Sequence, residues 1–350
     1  MGSPMRLRRA AVLAALACLL PALAACGASG TQVKAGDVVQ ARQAKQFEHG
    51  RLSTIATPIG TLKIRAGKAV TQLAAGDTHE LTAQTAPSGL TYLPITWSYA
   101  KGTTGVYARY VGTNALPTVD VRSGDGTYRL PSPDPAQGAE SFYVLVAASS
   151  EHPRLELSFD GVTQSADLVT GRRDTGRRAR GLYRLSYRMP RATDCPDKPT
   201  WVETATAAST CKVTAPLLLP YAGGRWAKPG HAWLVVDVRT TLATYTQAGA
   251  TALFSGGIYY PQGLSTTYRL GKRKPVSVLG ANDDSDTCPL LRTGSCNSHA
   301  AVIFDANDKH ATLTLLQRYK LTLGNGWGGY DGKKHETEVG TTVIPLPAPA

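Results

Sequence analysis

The densest group of residues that could do chemistry is a run of arginines near the middle of the chain. Between Arg172 and Arg188 only Asp174 opposes their charge. Guanidinium groups pair bidentately with phosphate and carboxylate oxygens, so this run could hold an anionic ligand. The alternative is a solvated basic loop that keeps an edge strand from aggregating. The candidate anion-binding residues are Arg172, Arg173, Arg177, Arg178 and Arg180.

Two large aromatic residues, Trp327 and Tyr330, lie in the glycine-rich stretch 324–332. Aromatic faces on a flexible loop can stack on a sugar or on a partner protein. A long hairpin connection would instead fold them back onto its own sheet. Both interpretations stay open, and we treat the two residues as aromatic-loop candidates.

A metal site is not predicted. Asn282, Asp284 and Asp286 have the spacing of the first ligands of a calcium loop, but Thr287 and Thr293 stand where an EF-hand needs glycine and glutamate. A different calcium site and a plain polar loop both remain open for this stretch.

Catalytic motifs give little support for an enzyme. The sequence contains neither G-x-S-x-G nor H-E-x-x-H, and its histidines are scattered without metal-ligand spacing. We therefore predict no catalytic residue and no cofactor. The alternative is an exported hydrolase or cell-wall-modifying enzyme whose site is assembled from distant residues.

The N-terminal segment has the order of a secretory signal: a basic start, a short apolar core and small residues at its end. The uncharged run covers residues 10–25, which is shorter than the roughly 20 apolar residues that span a bilayer. We expect residues 1–25 to be a signal peptide that is removed. Its basic residues are Arg6, Arg8 and Arg9.

This segment ends in Leu23-Ala24-Ala25-Cys26, which resembles the lipobox of bacterial lipoprotein precursors. The resemblance covers residues 1–26. It implies that the Cys26 thiol is acylated, with palmitate as the expected acyl chain, and that Cys26 becomes the new N-terminus. Two chains at about 0.8 kcal/mol per buried CH₂ would anchor the protein at the extracytoplasmic face of the cell membrane. The alternative is secretion with Cys26 unmodified.

Four cysteines remain once the leader is removed and Cys26 is acylated. An even number in an oxidising compartment predicts disulfides. Proximity along the chain favours two local bridges, Cys195 with Cys211 and Cys288 with Cys296.

The elements that must position these residues are strands. Beyond Pro58, apolar and polar residues alternate with period two, and the alternating runs are separated by Gly-, Asp- and Pro-rich turns. Many short strands of this kind predict an all-β protein of antiparallel sheets. The arginine run would then lie on a hairpin loop and its following strand. Clear examples of the alternation are Leu62 and Ile64; Leu155, Leu157 and Phe159; and Tyr183, Leu185 and Tyr187.

An internal similarity suggests two related domains. Residues 148–157 can be laid over 306–315 with alanine, histidine and two leucines coinciding, which is typical of a tandem repeat. The strand pattern is loosely similar to immunoglobulin-like domains of bacterial surface lipoproteins, which implies β-sandwiches and says nothing about a ligand. The predicted organisation is a signal peptide (1–25), a flexible lipidated tether (26–57), a first β-sandwich (58–190) and a second with both disulfides (191–350).

Charge narrows the class of partner. Loss of the three leader arginines lowers the formal charge from +13 to about +10, and a basic exported surface attracts anions. We expect the membrane as a partner through the lipid on Cys26, and an anionic wall polymer, lipid headgroups or an acidic protein through the basic surface. Nucleic acid is not expected outside the cytoplasm. The predicted role is binding or scaffolding at the cell envelope.

Overall fold

The computed structural model describes residues 33–134, 138–149, 151–186, 189–249, 254–280, 286–288, 294–305 and 311–349. Strands make up 57% of the structure and helices 7%, so the predicted all-β class is confirmed. Neighbouring strands within the sheets run antiparallel.

The first part of the chain forms two five-stranded sheets and a small hairpin. One sheet has the order β1-β9-β6-β3-β2, the other β12-β11-β10-β7-β8, and β4 pairs with β5. The strands are β1 (Val38–Gln40), β2 (Arg51–Thr57), β3 (Gly60–Ala66), β4 (Gln72–Leu73), β5 (Gln84–Thr85), β6 (Leu90–Ala100), β7 (Thr118–Ser123), β8 (Gly126–Leu130), β9 (Ala139–Ala147), β10 (Arg154–Phe159), β11 (Val162–Asp167) and β12 (Arg173–Asp174).

These two sheets pack face to face as a β-sandwich. Alternation puts Leu155, Leu157 and Phe159 of β10 on the inner face, where all three are fully buried against residues of the other sheet such as Ile64 and Val144. Burying one such side chain contributes roughly 1.5–3 kcal/mol. The polar residues between them face outward, as the sequence pattern predicts.

Short helices lie between and after these strands. One 3-10 helix covers Ala75–Asp77 and another covers Thr104–Tyr110. After β12, the short helix α1 (Gly176–Ala179) continues into a third 3-10 helix, Arg180–Arg184.

The second part of the chain forms one ten-stranded sheet and a small hairpin, β16–β17. The strands are β13 (Ala192–Asp194), β14 (Ala205–Thr214), β15 (Leu217–Leu219), β16 (Tyr221–Ala222), β17 (Arg225–Trp226), β18 (Trp233–Ala248), β19 (Gly256–Leu270), β20 (Ser277–Gly280), β21 (Asp286–Thr287), β22 (Cys296–Phe304), β23 (Ala311–Trp327) and β24 (His335–Leu346).

The ten-stranded sheet curls into a half-barrel around β18. On one edge, β18 pairs with β22 along 234–242 and then with β19 along 245–248. The sheet therefore divides, and β19, β23 and β24 fold over β18 and β22. Between the two layers lies a second core, with Val236, Phe304, Leu315 and Ile344 almost fully buried.

The first and second parts of the chain belong to one compact unit that begins at Lys34. Tyr110, from the first part, donates a hydrogen bond of 2.9 Å to the buried Asp237 carboxylate on β18. Arg109 forms an ion pair with the same carboxylate. Trp226, from the second part, packs in the sandwich core, and its Nε1–H donates a hydrogen bond of 3.0 Å to the carbonyl oxygen of Phe159. The division into domains at residue 190 stays a prediction.

Both predicted disulfides are present. Cys195 pairs with Cys211 on β14, with their Cα atoms 5.3 Å apart. Cys288 pairs with Cys296 at the start of β22, with a Cα–Cα distance of 4.2 Å.

Two predictions about local structure are wrong. The tether does not extend to residue 57, because β1 pairs with β9 and β2 pairs with β3, where Ile55 is fully buried. The strand predicted at Tyr183 is also absent, since Tyr183 lies in the 3-10 helix that follows α1. The predicted repeat stays a prediction, because residues 306–310 lie outside the described residues.

Candidate anion-binding site

Four arginines of the run line an open cavity of about 720 Å³, which we call the basic cavity. One wall is α1 with its 3-10 continuation, and the other is the loop that follows β17. The lining residues are Arg177, Arg178, Arg180, Gly181, Arg184, Pro220, Lys228, Pro229, Gly230 and His231.

The helical segment that carries the arginines is anchored by its buried face. Ala179 is fully buried and Leu182 nearly so, and both pack into the sandwich core. Their spacing of three residues suits a helix rather than a strand, so the arginines around them remain exposed. The turn into α1 is fixed by Gly176, at φ +60°, whose N–H donates to Asp174 Oδ1 at 3.0 Å.

The opposite wall is positioned by the β16–β17 hairpin. Tyr221 donates a hydrogen bond of 2.9 Å to Asp160 Oδ2, and Trp226 is anchored on Phe159 as described above. The loop then turns at Lys228, whose carbonyl oxygen accepts from the His231 N–H at 2.9 Å. The two walls meet where Gly181 passes Pro220 so closely that an added Cβ would lie 3.0 Å from the proline Cβ.

The basic cavity carries four arginines and one lysine, and none of its described lining residues is acidic. All five cationic side chains are exposed to solvent. The volume lies within the range of small-ligand sites, roughly 300–1,000 Å³. Several guanidinium forks around one space can hold a phosphate or carboxylate group from more than one side.

The first two arginines of the run line a different cavity of about 600 Å³, which we call the mixed-charge cavity. Arg172 and Arg173 share it with two carboxylates. Burial raises the pKa of Asp167, but backbone hydrogen bonds from Thr170 and Val169 outweigh this and hold the pKa below its usual value. The lining residues are His152, Arg154, Ser165, Asp167, Thr170, Arg172, Arg173 and Asp174.

Within the mixed-charge cavity, Arg173 is bound to the fold. Its Nη1 donates to the carbonyl oxygen and to Oγ1 of Thr54, at 3.1 and 3.0 Å. The guanidinium group also lies 4.7 Å from the centre of the Tyr183 ring. The predicted single group of five arginines is therefore divided by the fold, and Arg172 and Arg173 do not line the basic cavity.

The aromatic candidates are not displayed on a loop together. Trp327 is the last residue of β23, and its ring packs over Gly256 while remaining 41% exposed. Tyr330 packs over Gly257, with its hydroxyl oxygen 3.2 Å from that of Tyr259. Tyr330 is thus part of the half-barrel's aromatic packing, as the hairpin interpretation predicts.

Some predicted features lie outside the described residues, namely the leader with Cys26 and residues 281–285 of the calcium-spaced stretch. Among the residues that the structure does describe, no three His, Cys, Asp or Glu side chains form a group that could hold a metal ion. Over the same ranges, no helix has both the length and the apolar character needed to cross a membrane.

Sequence reasoning missed the second wall of the basic cavity. Lys228 and His231 flank the Pro229-Gly230 turn, and two basic residues around such a turn indicate an exposed basic loop. Nothing in the sequence indicates that this loop faces α1. Arg184 belongs to the arginine run and also lines the cavity.

Comparison with known proteins yields no relative. The chain matches no family model, no curated protein and no solved structure. Its function must therefore be inferred from its own residues, and among the sites described above the basic cavity has the clearest chemistry.

Proposed function

We propose that this protein is a membrane-anchored extracytoplasmic lipoprotein that binds an anionic partner through the basic cavity. The observation that carries the proposal is a concave site with five cationic side chains and no acidic residue among its described lining residues. Such a site favours phosphate or carboxylate groups of a wall polymer, a lipid headgroup or an acidic protein.

The difference between the two cavities supports this assignment. In the mixed-charge cavity, two carboxylates oppose the arginines, and Arg173 is bound to Thr54. Among the described residues that line the basic cavity there is no carboxylate, so an anion gains more there by binding. Exposed like charges repel one another, and a bound anion would relieve that repulsion.

The binding test replaces Arg177, Arg178 and Arg180 with serine in one variant. We expect at least a tenfold loss of affinity for anionic liposomes or anionic wall polymer, and a larger loss at low salt because exposed charges are less screened there. Co-sedimentation over a series of salt concentrations measures the affinity.

The matched control removes the same charge elsewhere, by Arg269→Ser, Arg318→Ser and Lys320→Ser. These side chains are exposed on β19 and β23. Equal losses in both variants would reduce the site to general surface charge and contradict the proposal.

The anchor is tested separately. If the lipobox functions, Cys26→Ser releases the mature protein from the membrane fraction, because the acyl chains supply the attachment. Fractionation followed by immunoblotting measures this, and retention of the Cys26→Ser protein would count against lipidation.

A further inference from the structure

The basic cavity adjoins a second space whose lining is mainly apolar, which we call the apolar groove. The groove has a volume of about 700 Å³ and shares Gly181, Arg184, Pro220 and His231 with the basic cavity. A ligand in one space can therefore continue into the other. The apolar residues that line the groove include Tyr107, Leu185, Met189, Leu217, Leu218 and Leu219.

The groove is built from well-anchored elements. Strand β15 pairs with the start of β18, and its Leu217 and Leu219 are buried in the core beneath. Leu218, between them, is 38% exposed. Met189 lies half-buried beside this strand. Apolar surface is thus presented to solvent directly beside a cluster of arginines.

We propose that the basic cavity and the apolar groove together bind one anionic lipid molecule, with its phosphate head among the arginines and its hydrocarbon chain in the groove. This inference rests on the proposed function, since it requires the basic cavity to bind an anion. It adds the chemical class of the ligand.

Charge complementarity favours a phosphate head over a fatty-acid carboxylate. A carboxylate has two oxygens and a single charge, whereas a phosphate monoester has three free oxygens and nearly two charges. Four guanidinium groups around one cavity suit the second better, because its three oxygens can accept hydrogen bonds from more than one fork and its charge is larger.

The shape favours a single bound lipid over adsorption to a membrane surface. Adsorption needs a flat or convex basic face, whereas here both the cationic and the apolar residues line concave spaces that adjoin. Binding sites for molecules with an apolar body have this arrangement, with apolar walls and a few charged groups at one end.

The test compares two soluble probes on the mature protein by titration calorimetry. Glycerol 3-phosphate presents the head alone, and dioctanoyl phosphatidate, kept below its micelle concentration, presents the same head with chains. We expect phosphatidate to bind at least thirtyfold more tightly, because each methylene that enters the groove leaves water.

Variants distinguish the contribution of the basic cavity to binding from that of the apolar groove. Leu218→Asn is expected to remove most of the gain from the chains, with Leu218→Ala giving a smaller loss, because a polar side chain in the groove disfavours hydrocarbon. Leu218 does not line the basic cavity, and the neutral variant should change glycerol 3-phosphate binding by less than about twofold. Leu316→Asn is the matched control, because Leu316 is similarly exposed, at 41%, on β23. The Arg177, Arg178 and Arg180 triple serine variant is expected to weaken both probes.

Each contrary outcome has one meaning. If both probes bind equally and both depend on the arginines, the lipid inference fails while anion binding stands. If neither probe depends on the arginines, the proposed function fails as well. If the protein binds phosphatidate only in intact vesicles, it docks on a membrane surface, and the single-lipid inference is wrong.

Discussion

Two groups of arginines within the arginine run lie in different electrostatic surroundings, although they are adjacent in the sequence. Arg172 and Arg173 meet Asp167 and Asp174 in the mixed-charge cavity. Arg177, on the next element, lines the basic cavity together with Lys228. Two carboxylates are thus part of the lining around the first group, and none is among the described residues that line the cavity of the second.

This difference shows that the density of charge in a sequence does not identify a binding site. An arginine that donates to a backbone carbonyl and covers a tyrosine ring, as Arg173 does, stabilises the fold. An arginine in a cavity whose described lining residues include no carboxylate is available to a ligand. The positions of the acidic groups, which tertiary structure sets, decide between the two roles.

The largest expected effect comes from making the basic cavity resemble the mixed-charge cavity. Pro229→Asp places a carboxylate in the exposed loop opposite the arginines. We expect at least a tenfold loss of affinity for glycerol 3-phosphate, since unit charges about 4 Å apart interact by several kcal/mol near a protein surface. Calorimetry measures it, with Pro229→Asn as the neutral control. Unchanged affinity in the Asp variant would show that the positive charge of the basic cavity does not bind the phosphate.

An intermediate effect is expected on stability. Arg173→Ser removes two hydrogen bonds to Thr54 and the contact with Tyr183, and should lower the free energy of unfolding by about 1 kcal/mol. Arg178→Ser, in the basic cavity, should change it by less than about 0.5 kcal/mol. Urea denaturation of both variants tests this. Equal losses in the free energy of unfolding would contradict the distinction between the two groups of arginines.

The smallest expected effect is on the pH dependence of stability. Because the pKa of Asp167 is lowered in the folded state, its carboxylate stabilises the fold at pH values above its unfolded pKa. That contribution is lost as the pH falls through the folded pKa. Asp167→Asn should therefore lower the free energy of unfolding by about 0.5 kcal/mol at pH 7, a figure reduced for solvent screening.

The same Asp167→Asn substitution should have progressively less effect below about pH 4. Thermal unfolding from neutral to acidic pH follows the difference between the two proteins. A difference that stays constant across this range would mean that the Asp167 charge is not responsible. Asp174→Asn serves as a comparison within the same cavity, because the backbone N–H groups of Val169 and Thr170 donate to the Asp167 carboxylate and not to that of Asp174.

Local patterns predicted much of the fold. Alternation identified β3 and β10, because period two on a strand gives one buried and one solvated face. Spacing predicted both disulfides. The error at Tyr183 has a local cause too. Alternation from Tyr183 onward predicts a strand, whereas the three-residue spacing of Ala179 and Leu182, both buried on one side, fits the helical segment that is observed.

What the sequence by itself determined is therefore the class of fold, both cysteine pairings and the presence of a strongly basic segment, since each depends on residues close together in the chain. Only the tertiary structure decided which arginines share a cavity with carboxylates, that Lys228 lines the same cavity as Arg177, and that an apolar groove adjoins it. The reason is physical. These relations arise where the β16–β17 hairpin packs against the sandwich and Gly181 passes Pro220, and contacts between distant segments leave no periodic signal in the sequence.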